Sequence, residues 1–522
     1  MIPFVAALAQ GGTAAVWGAA GACVLALAPA GARWLRVAQR EHYIPDACSR
    51  FAIRWWTIEP INLLLAVLAL VGVVLSGIWP LVALATAGVA LIGPVHLSIR
   101  GRTSPLVLTR RLKVLAAVWL VLQSAVVAIG AAVGAAAPFA AAGLVAAPAI
   151  VDLALYITAP VERRLSEHFV VAAAERLRRV SPTIVAITGS YGKTSTKNHV
   201  AHLLTGTKTV VATPASFNNR GGLARSVNEH LAEGTEVFVA EMGTYGPGEI
   251  RDLCSWCPPS ISVLTAIGPV HLERFGSEDA ILKAKSEITE GASVVVVNAD
   301  DDRLASLGAV LGASEGGPTV IRCSAVDDGA DVCVLRDGTA LTIVAGDRRV
   351  KTTLPEASGV QPTNLACAVA VALHLGVELD VIARRICDMP SVANRLTTGT
   401  AASGVFVVDD TFNSNPAGAR AALALLAAAP RDGRRVVVTP GMIELGGRQA
   451  EENELFAQTA ADLATDLVVV GRTNRRALLR AAPRDRPVVV ANTRQEAVAW
   501  VRGHLGARDA VLYENDLPDH YP

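Results

Sequence analysis

The run Thr188–Asn198 constrains the fold of this chain more than any other segment. It reads T-G-S-Y-G-K-T-S-T-K-N, follows the apolar stretch Ile184–Ile187 and opens a segment with a helical pattern. A strand that turns through glycines into a helix presents backbone N–H groups and the positive end of the helix dipole to an anion. Lys193 adds a point charge and Thr194 a hydroxyl suited to Mg²⁺, roles that an ordinary strand-to-helix turn does not require. The pattern predicts a phosphate-binding loop on a parallel sheet.

The segments that follow support an α/β fold in two parts. Short β-branched runs alternate with helical segments, first at Ile184–Ile187, Val210–Ala212, Val237–Ala240, Ile261–Thr265 and Val294–Val297. This pattern predicts a parallel-sheet domain. A second alternation starts near Val405 and continues at Val436–Val438, Leu467–Val470, Val488–Val490 and Ala510–Tyr513. It predicts a smaller Rossmann-like domain, joined to the first by a hinge around residues 390–404.

The first third of the chain is apolar enough to lie in lipid. Mean hydropathy of the whole chain is +0.41, and no charged residue precedes Arg33. Apolar runs long enough to cross about 30 Å of hydrocarbon occur at the N-terminus and near 60–77, 79–95, 114–136 and 139–158. We therefore expect an α-helical membrane domain of five transmembrane helices in the cytoplasmic (inner) membrane.

Basic residues predict the orientation of these spans and the domain boundaries. They cluster in the first and third loops and after the last span, at Arg33, Arg36, Arg40, Arg50, Arg54, Arg100, Arg102, Arg110, Arg111, Lys113, Arg163 and Arg164. The positive-inside rule then puts the N-terminus outside and the sheet domains in the cytoplasm. We expect a membrane domain over 1–160, an amphipathic connecting helix over 161–181, and sheet domains over 182–396 and 397–522.

Charge and cysteine content exclude some classes of protein. Lys and Arg number 47 against 46 Asp and Glu, so no basic excess points to nucleic acid. The eight cysteines are scattered, as suits a reducing compartment. Cys254 and Cys257 form a lone C-x-x-C before two prolines, which we expect to end a helix and not to perform redox or metal chemistry.

Four further islands accompany the phosphate loop. They are Ser216–Asn219; Ala240–Gly243 with Pro247–Ile250 behind it; Gly268–Gly276 running on to Lys283–Ile288; and Asp409–Pro416. In order and spacing they resemble the Mur ligases, in particular the type that adds D-alanyl-D-alanine to the peptidoglycan stem peptide. The resemblance covers about residues 182–510.

Two of these islands also indicate metal chemistry by themselves. Glu241 ends an apolar strand beside the phosphate loop, where a carboxylate can hold a Mg²⁺ ion that bridges nucleotide and acceptor. His271, also at a strand end, can offer a neutral imidazole to a second Mg²⁺. The alternatives, a strand-capping Glu and a core His, are weakened because both residues belong to an ordered set.

The resemblance implies an ATP- and Mg²⁺-dependent ligase that forms an amide through an acyl phosphate. Lys193 would act on the transferring phosphoryl group, with Gly189, Gly192 and Ser195 completing the loop. Thr194 and Glu241 would hold one Mg²⁺, and His271 with a carbamylated Lys285 the other.

The resemblance extends to the rest of the nucleotide site. Arg395 matches an arginine that contacts phosphate when the C-terminal domain closes. Asp410 matches the residue that binds ribose, with Asn413 and Asn415 shaping its loop. Asn364 is the one residue left of an H-N-x-x-N adenine pattern, since the segment reads V-Q-P-T-N.

Three departures from the family bear on the substrate. The N-terminal domain that binds the UDP end of the substrate is replaced by the apolar region. The acidic residue before Met442 is lost, since the island reads T-P-G-M-I-E-L-G. A basic K-G-S-R-like segment is replaced by the acidic tail 513–522, which would repel the carboxylate of an incoming amino acid or dipeptide if it sat in the acceptor pocket.

These features favour a membrane-anchored ligase acting on a peptidoglycan-type precursor, either UDP-linked or lipid-linked, with an amino acid or dipeptide as the amine. The arginines of the first loop would then meet a lipid pyrophosphate, unless they only mark topology. A polyglutamate or folylpolyglutamate type of ligase is the second hypothesis. An ATPase that drives a transport domain is the third, with Asp152 as the main polar candidate for a path.

Overall fold

The computed structural model describes residues 2–99, 106–215, 217–355, 359–390, 396–411, 414–483, 486–517 and 520–521, with side chains from Thr13 onward. The chain divides into two compact units. One comprises Met1–Leu165 together with Leu517–Pro522, and the other comprises Ser166–Asp516.

The first unit is helical. Its helices are α1 (Ile2–Arg40), α2 (Ala47–Ile58), α3 (Pro60–Ser76), α4 (Val82–Ile92), α5 (Arg110–Ala132), α6 (Ala136–Val145) and the first half of α7 (Ala147–Val180). Among the described residues, two helical segments are long and apolar enough to cross a membrane, Thr13–Arg40 and Arg110–Ala132. The number rises to four if each of two bent pairs is one span: α2 with α3, bent by 116°, and α6 with α7, bent by 74°.

The expectation of five spans is therefore not supported. The run 79–95 forms only the 11 residues of α4, about 16 Å at 1.5 Å per residue, which is too short for a bilayer. The run 139–158 is interrupted at Ala146, where α6 ends and the chain bends into α7. The predicted orientation required an odd number of straight spans, so it loses its basis.

Asp152 caps helix α2 from a distant point in the sequence. Its carboxylate accepts hydrogen bonds from the backbone N–H groups of Cys48 (3.1 Å) and Ser49 (2.8 Å) and from the Ser49 hydroxyl (2.5 Å). Asp46, the residue before the helix, has a left-handed backbone and makes no side-chain cap bond. Asp152 thus satisfies N–H groups at the helix start that would otherwise be unpaired.

Two arginines that were assigned to the first loop, Arg33 and Arg36, lie on α1 and donate hydrogen bonds within the unit. The Arg33 guanidinium donates to the carbonyls of Ala90, Leu91 and Gly93 at the end of α4. Arg36 is fully buried and donates to the Ser98 carbonyl at 2.5 Å. Both Nη atoms of Arg33 and the Nη1 of buried Arg36 already donate to protein carbonyls, which argues against the predicted contact of these two arginines with a lipid pyrophosphate.

The predicted boundary 397–522 placed the last residues of the chain in the C-terminal sheet domain. In the structure, residues 517–522 belong to the helical unit instead. Trp55 donates its indole N–H to the His520 carbonyl at 2.8 Å, and His520 pairs with Glu41 at 3.0 Å. The Tyr521 ring meets Phe51 edge-on, with centroids 4.8 Å apart.

The second unit contains two sheets. The strands are β1 (Thr183–Thr188), β2 (Val210–Ala212), β3 (Val237–Glu241), β4 (Ile261–Leu264), β5 (Val294–Asn298), β6 (Thr319–Ser324), β7 (Val332–Asp337), β8 (Ala340–Ala345), β9 (Arg348–Thr353), β10 (Thr397–Thr400), β11 (Phe406–Asp410), β12 (Arg435–Thr439), β13 (Asp466–Val470), β14 (Val488–Ala491) and β15 (Ala510–Glu514). The helices are α8 (Lys193–Leu204), α9 (Arg220–His230), α10 (Glu249–Trp256), α11 (Leu272–Phe275), α12 (Glu278–Ser286), α13 (Asp302–Gly312), α14 (Pro362–His374), α15 (Leu379–Ile386), α16 (Pro416–Ala427), α17 (Gln449–Leu463), α18 (Arg475–Ala481) and α19 (Arg494–His504).

The larger sheet domain has the strand order β2-β3-β1-β4-β5-β6-β7-β8-β9. Its strands are parallel from β2 to β7, and β8 and β9 are antiparallel additions. The smaller sheet domain has the order β10-β11-β15-β12-β13-β14, parallel except for β10. The predicted α/β fold with parallel sheets is confirmed.

Helix α7 joins the two units without a break. It runs from Ala147 to Val180 through Pro160, so the expected separate connecting helix over 161–181 is the second half of a longer one. Val170, Ala173 and Leu177 of that half are buried in one core of the larger sheet. Because they pack against the sheet, the segment does not lie free on a surface.

We expect Asp152→Ala to loosen the start of α2, since it leaves buried N–H groups without an acceptor at a cost of about 1–3 kcal/mol. Cys48, which is fully buried, should then react with a maleimide about 5- to 150-fold faster in detergent, scored by mass spectrometry of its peptide. Tyr156→Phe is the control, since it removes only an exposed bond to Asp46. Equal labelling of Cys48 in both variants would contradict the capping role.

Candidate functional site

The turn between β1 and α8 forms a glycine cradle, in which two positions can be occupied only by glycine. Gly189 and Gly192 have φ of +154° and +86°. A Cβ on Gly189 would lie 2.0 Å from the Thr265 hydroxyl, and one on Gly192 would lie 2.4 Å from the Asn364 side-chain oxygen. Both glycines are therefore required by backbone conformation and by space.

The loop is held to the neighbouring strand end by hydrogen bonds. The Ser190 backbone N–H donates to the Ala266 carbonyl at 2.8 Å, and the Thr265 hydroxyl donates to the Tyr191 carbonyl at 2.5 Å. The Ser190 hydroxyl also exchanges hydrogen bonds with the backbone of Gly268. This fixed turn aims the start of α8, with half-buried Thr194 and Ser195, at one point in space.

Two lysines converge at the loop. Lys193 donates to the Gly189 carbonyl at 2.7 Å. Lys285, on α12, is 2% exposed. Burial, and then the positive charge of Lys193, hold the pKa of the Lys285 amine well below its usual range. A neutral amine is thus favoured next to a fixed cation.

Glu241 lies at the carboxyl end of β3, beside β1, and is almost completely buried. Its Oε1 accepts a hydrogen bond from Asn218 at 3.0 Å, and its Oε2 lies 3.3 Å from the Lys197 ammonium, which is buried as well. Oε2 has no hydrogen-bond partner among the described atoms. The ammonium balances the charge while leaving an oxygen lone pair for a further ligand.

His271 lies in the loop after β4, next to the phosphate loop. Its Nδ1 pairs with the carboxylate of Glu444, from the smaller sheet domain. Its ring also meets Tyr245 edge-on, with centroids 5.1 Å apart. Through the contact between His271 and Glu444, the smaller sheet domain lies on the side of the larger sheet domain that carries the phosphate loop.

The described residues contain no group of three or more His, Cys, Asp or Glu side chains that could hold a metal ion by themselves. Mg²⁺ is usually bound through one or two carboxylates together with substrate phosphates. Glu241 is buried beside the phosphate loop, and its Oε2 makes an ion pair with Lys197 but accepts no hydrogen bond among the described residues, so it fits that kind of site.

At the smaller sheet, two carboxylates end adjacent strands. Asp410 on β11 is buried, accepts from the Leu396 N–H at 3.2 Å and stands in register with Glu514 on β15. The Glu514 carboxylate accepts from the hydroxyls of Ser414 and Thr439. Burial raises the pKa of Glu514 to about 7.

The remaining predicted site residues divide into two groups. Asn364 is placed on α14 against Gly192, at the phosphate loop itself. Arg395 and Asn413 lie outside the described residues, as does Ser216 of the first island.

The C-x-x-C segment ends α10 at Trp256 and Cys257, as expected. Burial raises the pKa of Cys254 to about 12 and that of Cys257 further. Burial therefore favours the protonated thiol at both positions, which argues against a reactive thiolate here.

Three participants were missed from the sequence, although each lies in a motif already singled out. Lys197 is one helical turn after Lys193, and this i, i+4 spacing indicates a shared face of α8. Asn218 and Glu444 carry no signal of their own, because only the fold brings them to Glu241 and His271.

A phosphate loop on a parallel sheet, followed by a smaller Rossmann-like sheet, defines a nucleotide-binding α/β protein of two domains. Residues 187–372 match the Mur ligase middle domain, and residues 394–513 match the Mur ligase glutamate ligase domain. The chain therefore belongs to the Mur ligase family through these two domains.

Individual relatives agree. The UDP-N-acetylmuramoyl-tripeptide--D-alanyl-D-alanine ligase of Mycobacterium tuberculosis (strain ATCC 25618 / H37Rv) is 35% identical over 318 residues, which are 58% of this chain and 61% of that protein. The enzyme of the same name from Escherichia coli (strain K12) is 29% identical over 334 residues, 62% of this chain and 72% of that one. The chain thus spans about three fifths of the length of its mycobacterial relatives.

Solved structures show the same fold. MurF from Acinetobacter baumannii aligns with a TM-score of 0.59 and 25% identity, over 68% of this chain and 77% of that one. FolC of E. coli aligns less closely, with a TM-score of 0.50 and 16% identity, over 68% of this chain and 90% of that one. At that identity the likeness to FolC concerns the fold alone.

We expect Glu514→Gln to change how stability depends on pH. The pKa of Glu514 is raised from 4.5 to about 7, so the folded state keeps a proton that the unfolded state releases. Its contribution is complete below pH 4.5 and is lost as pH rises through 7, a change of about 3 kcal/mol.

Glutamine stays neutral, so the variant should gain thermal stability relative to wild type between pH 5 and about 8. The difference in melting temperature between the two proteins, measured across this range, is the readout. A difference that does not vary with pH would contradict a protonated Glu514.

Proposed function

We propose that the chain is an ATP-dependent carboxylate–amine ligase that forms an amide through an acyl phosphate. The observation that carries the proposal is the glycine cradle between β1 and α8, with Lys193, Lys285 and the Lys197–Glu241 pair converging on it. A fixed N–H cradle with cations suits a triphosphate whose terminal phosphoryl group is transferred.

The chemistry has two steps. A carboxylate oxygen of the acceptor attacks the γ-phosphorus of ATP, and ADP leaves. The amine nitrogen then attacks the acyl carbon, the C–O bond to phosphate breaks and inorganic phosphate leaves with loss of the amine proton. The protein's part is to position the reactants and balance charge. Lys193 stabilises the phosphoryl oxygens, and Asp410 and Asn364 contribute to holding the nucleoside.

Mg²⁺ would supply neutralisation of the phosphate charge when bound. Thr194 and Glu241 are the residues proposed for one ion, and His271 and Lys285 for a second. Lys285 serves as a ligand only as a carbamate, which forms when a neutral amine adds to CO₂ and releases a proton. The lowered pKa of this buried amine supports that reaction. Arg395 and Asn413 keep their proposed roles in contacting phosphate and shaping the ribose loop.

We propose that the acceptor, which supplies the carboxylate, is a muramoyl peptide. The amine is an amino acid or dipeptide, such as D-alanyl-D-alanine. This follows the printed activity of the relatives, which are closer than the FolC type in sequence and in fold. A transport ATPase is disfavoured because Asp152 is committed to capping α2.

We further propose that the first unit anchors the enzyme in the membrane, with the sheet domains in the cytoplasm. Helix α3 supports this: Leu64, Leu70 and Val74 are 53%, 56% and 72% exposed, and only a narrow face with Asn62, Ala69, Gly72 and Ser76 is buried. Apolar side chains left open on a long helix are stable in lipid and costly in water. A lipid-linked acceptor would be concentrated at this surface.

The test is ADP release and amide formation by the full chain in detergent. UDP-linked and polyprenyl-linked muramoyl tripeptides are each offered with D-alanyl-D-alanine, and γ-glutamyl folate with glutamate is the comparison. Amide product from either muramoyl substrate supports the proposal. ADP release without any amide product would contradict it.

We expect Lys193→Ala to lower ADP formation about 100-fold or more, because one lost phosphate clamp costs about 3 kcal/mol of barrier. Lys208→Ala is the matched control, since Lys208 lies on the same domain in a partly exposed pair with Glu236. Activity of the Lys193 variant within about threefold of wild type would defeat the assignment.

Lys285→Ala should be inactive and regain activity with added short-chain carboxylates, which can replace the carbamate oxygens. Lys283→Ala, two residues away and exposed, should need no such supplement. Wild-type activity should fall when CO₂ is removed and return with bicarbonate. Full activity of the Lys285 variant without a supplement would make this lysine a structural residue only.

A further inference from the structure

The pair His271–Glu444 joins the two sheet domains at the proposed metal site. The imidazole Nδ1 meets the Glu444 carboxylate, and the two side chains are 21% and 22% exposed. Glu444 lies in the loop after β12, where the sequence reads G-M-I-E-L-G. No role had been given to it from the sequence.

Both partners hold an unfavourable backbone conformation. His271 has φ +63° and Glu444 has φ +65°, in the left-handed region that side chains rarely adopt. Such strain persists only where the surroundings fix it, and it clusters at functional sites. Here the surroundings are tight: a Cβ on Gly446 would lie 3.1 Å from the Glu273 nitrogen, and Tyr245 packs on the His271 ring.

Holding the two domains together does not explain the pair, because other contacts do so at the same place. Arg448 donates to Glu278 at 2.8 Å, so a second pair joins the two domains seven residues after His271 and four residues after Glu444. Glu278 also pairs with Arg303 at 2.5 Å. The pair His271–Glu444 differs from these because one partner is a nitrogen base next to the phosphate loop.

We infer that Glu444 is a positioning residue for His271. A histidine that binds a metal through one ring nitrogen usually donates its other N–H to a carboxylate, which fixes the tautomer and the ring orientation. With Nδ1–H donating to Glu444, the lone pair of Nε2 is left for Mg²⁺. The inference rests on the metal role proposed for His271. It makes ion binding depend on contact between the sheet domains, since the ligand and its orienting group come from different domains.

The experiment measures Mn²⁺ binding to the full chain with ADP in detergent, by electron paramagnetic resonance, so that no turnover is needed. Glu444→Gln should weaken Mn²⁺ binding about 10- to 100-fold, the usual effect of losing such a partner. His271→Ala should weaken it at least as much, and the double variant no further than His271→Ala alone. Arg448→Met, which breaks the neighbouring pair between the domains, should stay within twofold of wild type. Unchanged metal-free ADP affinity shows that each variant is folded, and Glu444→Met provides a second variant that must give the same loss.

Wild-type Mn²⁺ binding by a folded Glu444 variant would overturn the inference, as would additive effects in the double variant. Equal losses in the Glu444 and Arg448 variants would make the pair a simple domain contact. If His271→Ala weakens binding and Glu444→Gln does not, only the inference fails. If His271→Ala binds Mn²⁺ like wild type, the metal role proposed for His271 fails with it.

Discussion

The hydrogen-bonded turn from β1 into α8 is the element on which the rest of the catalytic unit depends. Gly189 and Gly192 let the backbone approach where any side chain would collide, and bonds to residues 265–268 fix the turn to β4. Because β1 lies between β3 and β4, the ends of both neighbours deliver their side chains to the same edge. Glu241 ends β3, and His271 lies in the loop seven residues beyond the end of β4, not at the strand end as the sequence predicted, so the order of the strands determines the composition of the site.

Burial of charge is the second constraint. Near the loop, Lys197 and Glu241 are both almost fully buried and neutralise each other, whereas burial and the charge of Lys193 lower the pKa of Lys285, which has no carboxylate partner within the described part of the chain. Glu514 on the smaller sheet shows the opposite response, since its pKa rises. In each case the low dielectric of the interior penalises an unbalanced charge. The charge is either paired with an opposite charge, as in Lys197 with Glu241, or its neutral form is favoured, as for Lys285 and Glu514. Because a buried ion pair adds little net stability, the pair Lys197–Glu241 is better explained by a role in arranging the site.

The parts of this fold that depend on local pattern could be predicted from the sequence. The strands β1 to β5 and β11 to β15 were recognised from short β-branched runs, and the loop from its glycines, Lys193 and Thr194. The strands β6 to β10 were missed: β9 and β10 lack a continuous apolar run, β10 lies inside the segment predicted as a hinge, and the apolar runs of β7 and β8 were not recognised. Hydropathy alone also overestimated the spans, because it does not show that the run 79–95 forms a helix of only 11 residues or that the chain bends after α6. Contacts such as Lys197 with Glu241, or Glu444 with His271, join residues far apart in the chain, and only the three-dimensional structure identifies them.

The central claim is that ATP bound at the phosphate loop transfers its γ-phosphoryl group to a substrate carboxylate. It can be tested with a muramoyl peptide acceptor in which both oxygens of the reacting carboxylate are ¹⁸O, incubated with ATP and the amine in unlabelled water. The account predicts that one ¹⁸O atom appears in each inorganic phosphate released, because the acyl phosphate breaks at the C–O bond. Phosphate that carries no label while amide forms, or that is released with its fourth oxygen taken from water, would contradict an acyl phosphate and with it the proposed function.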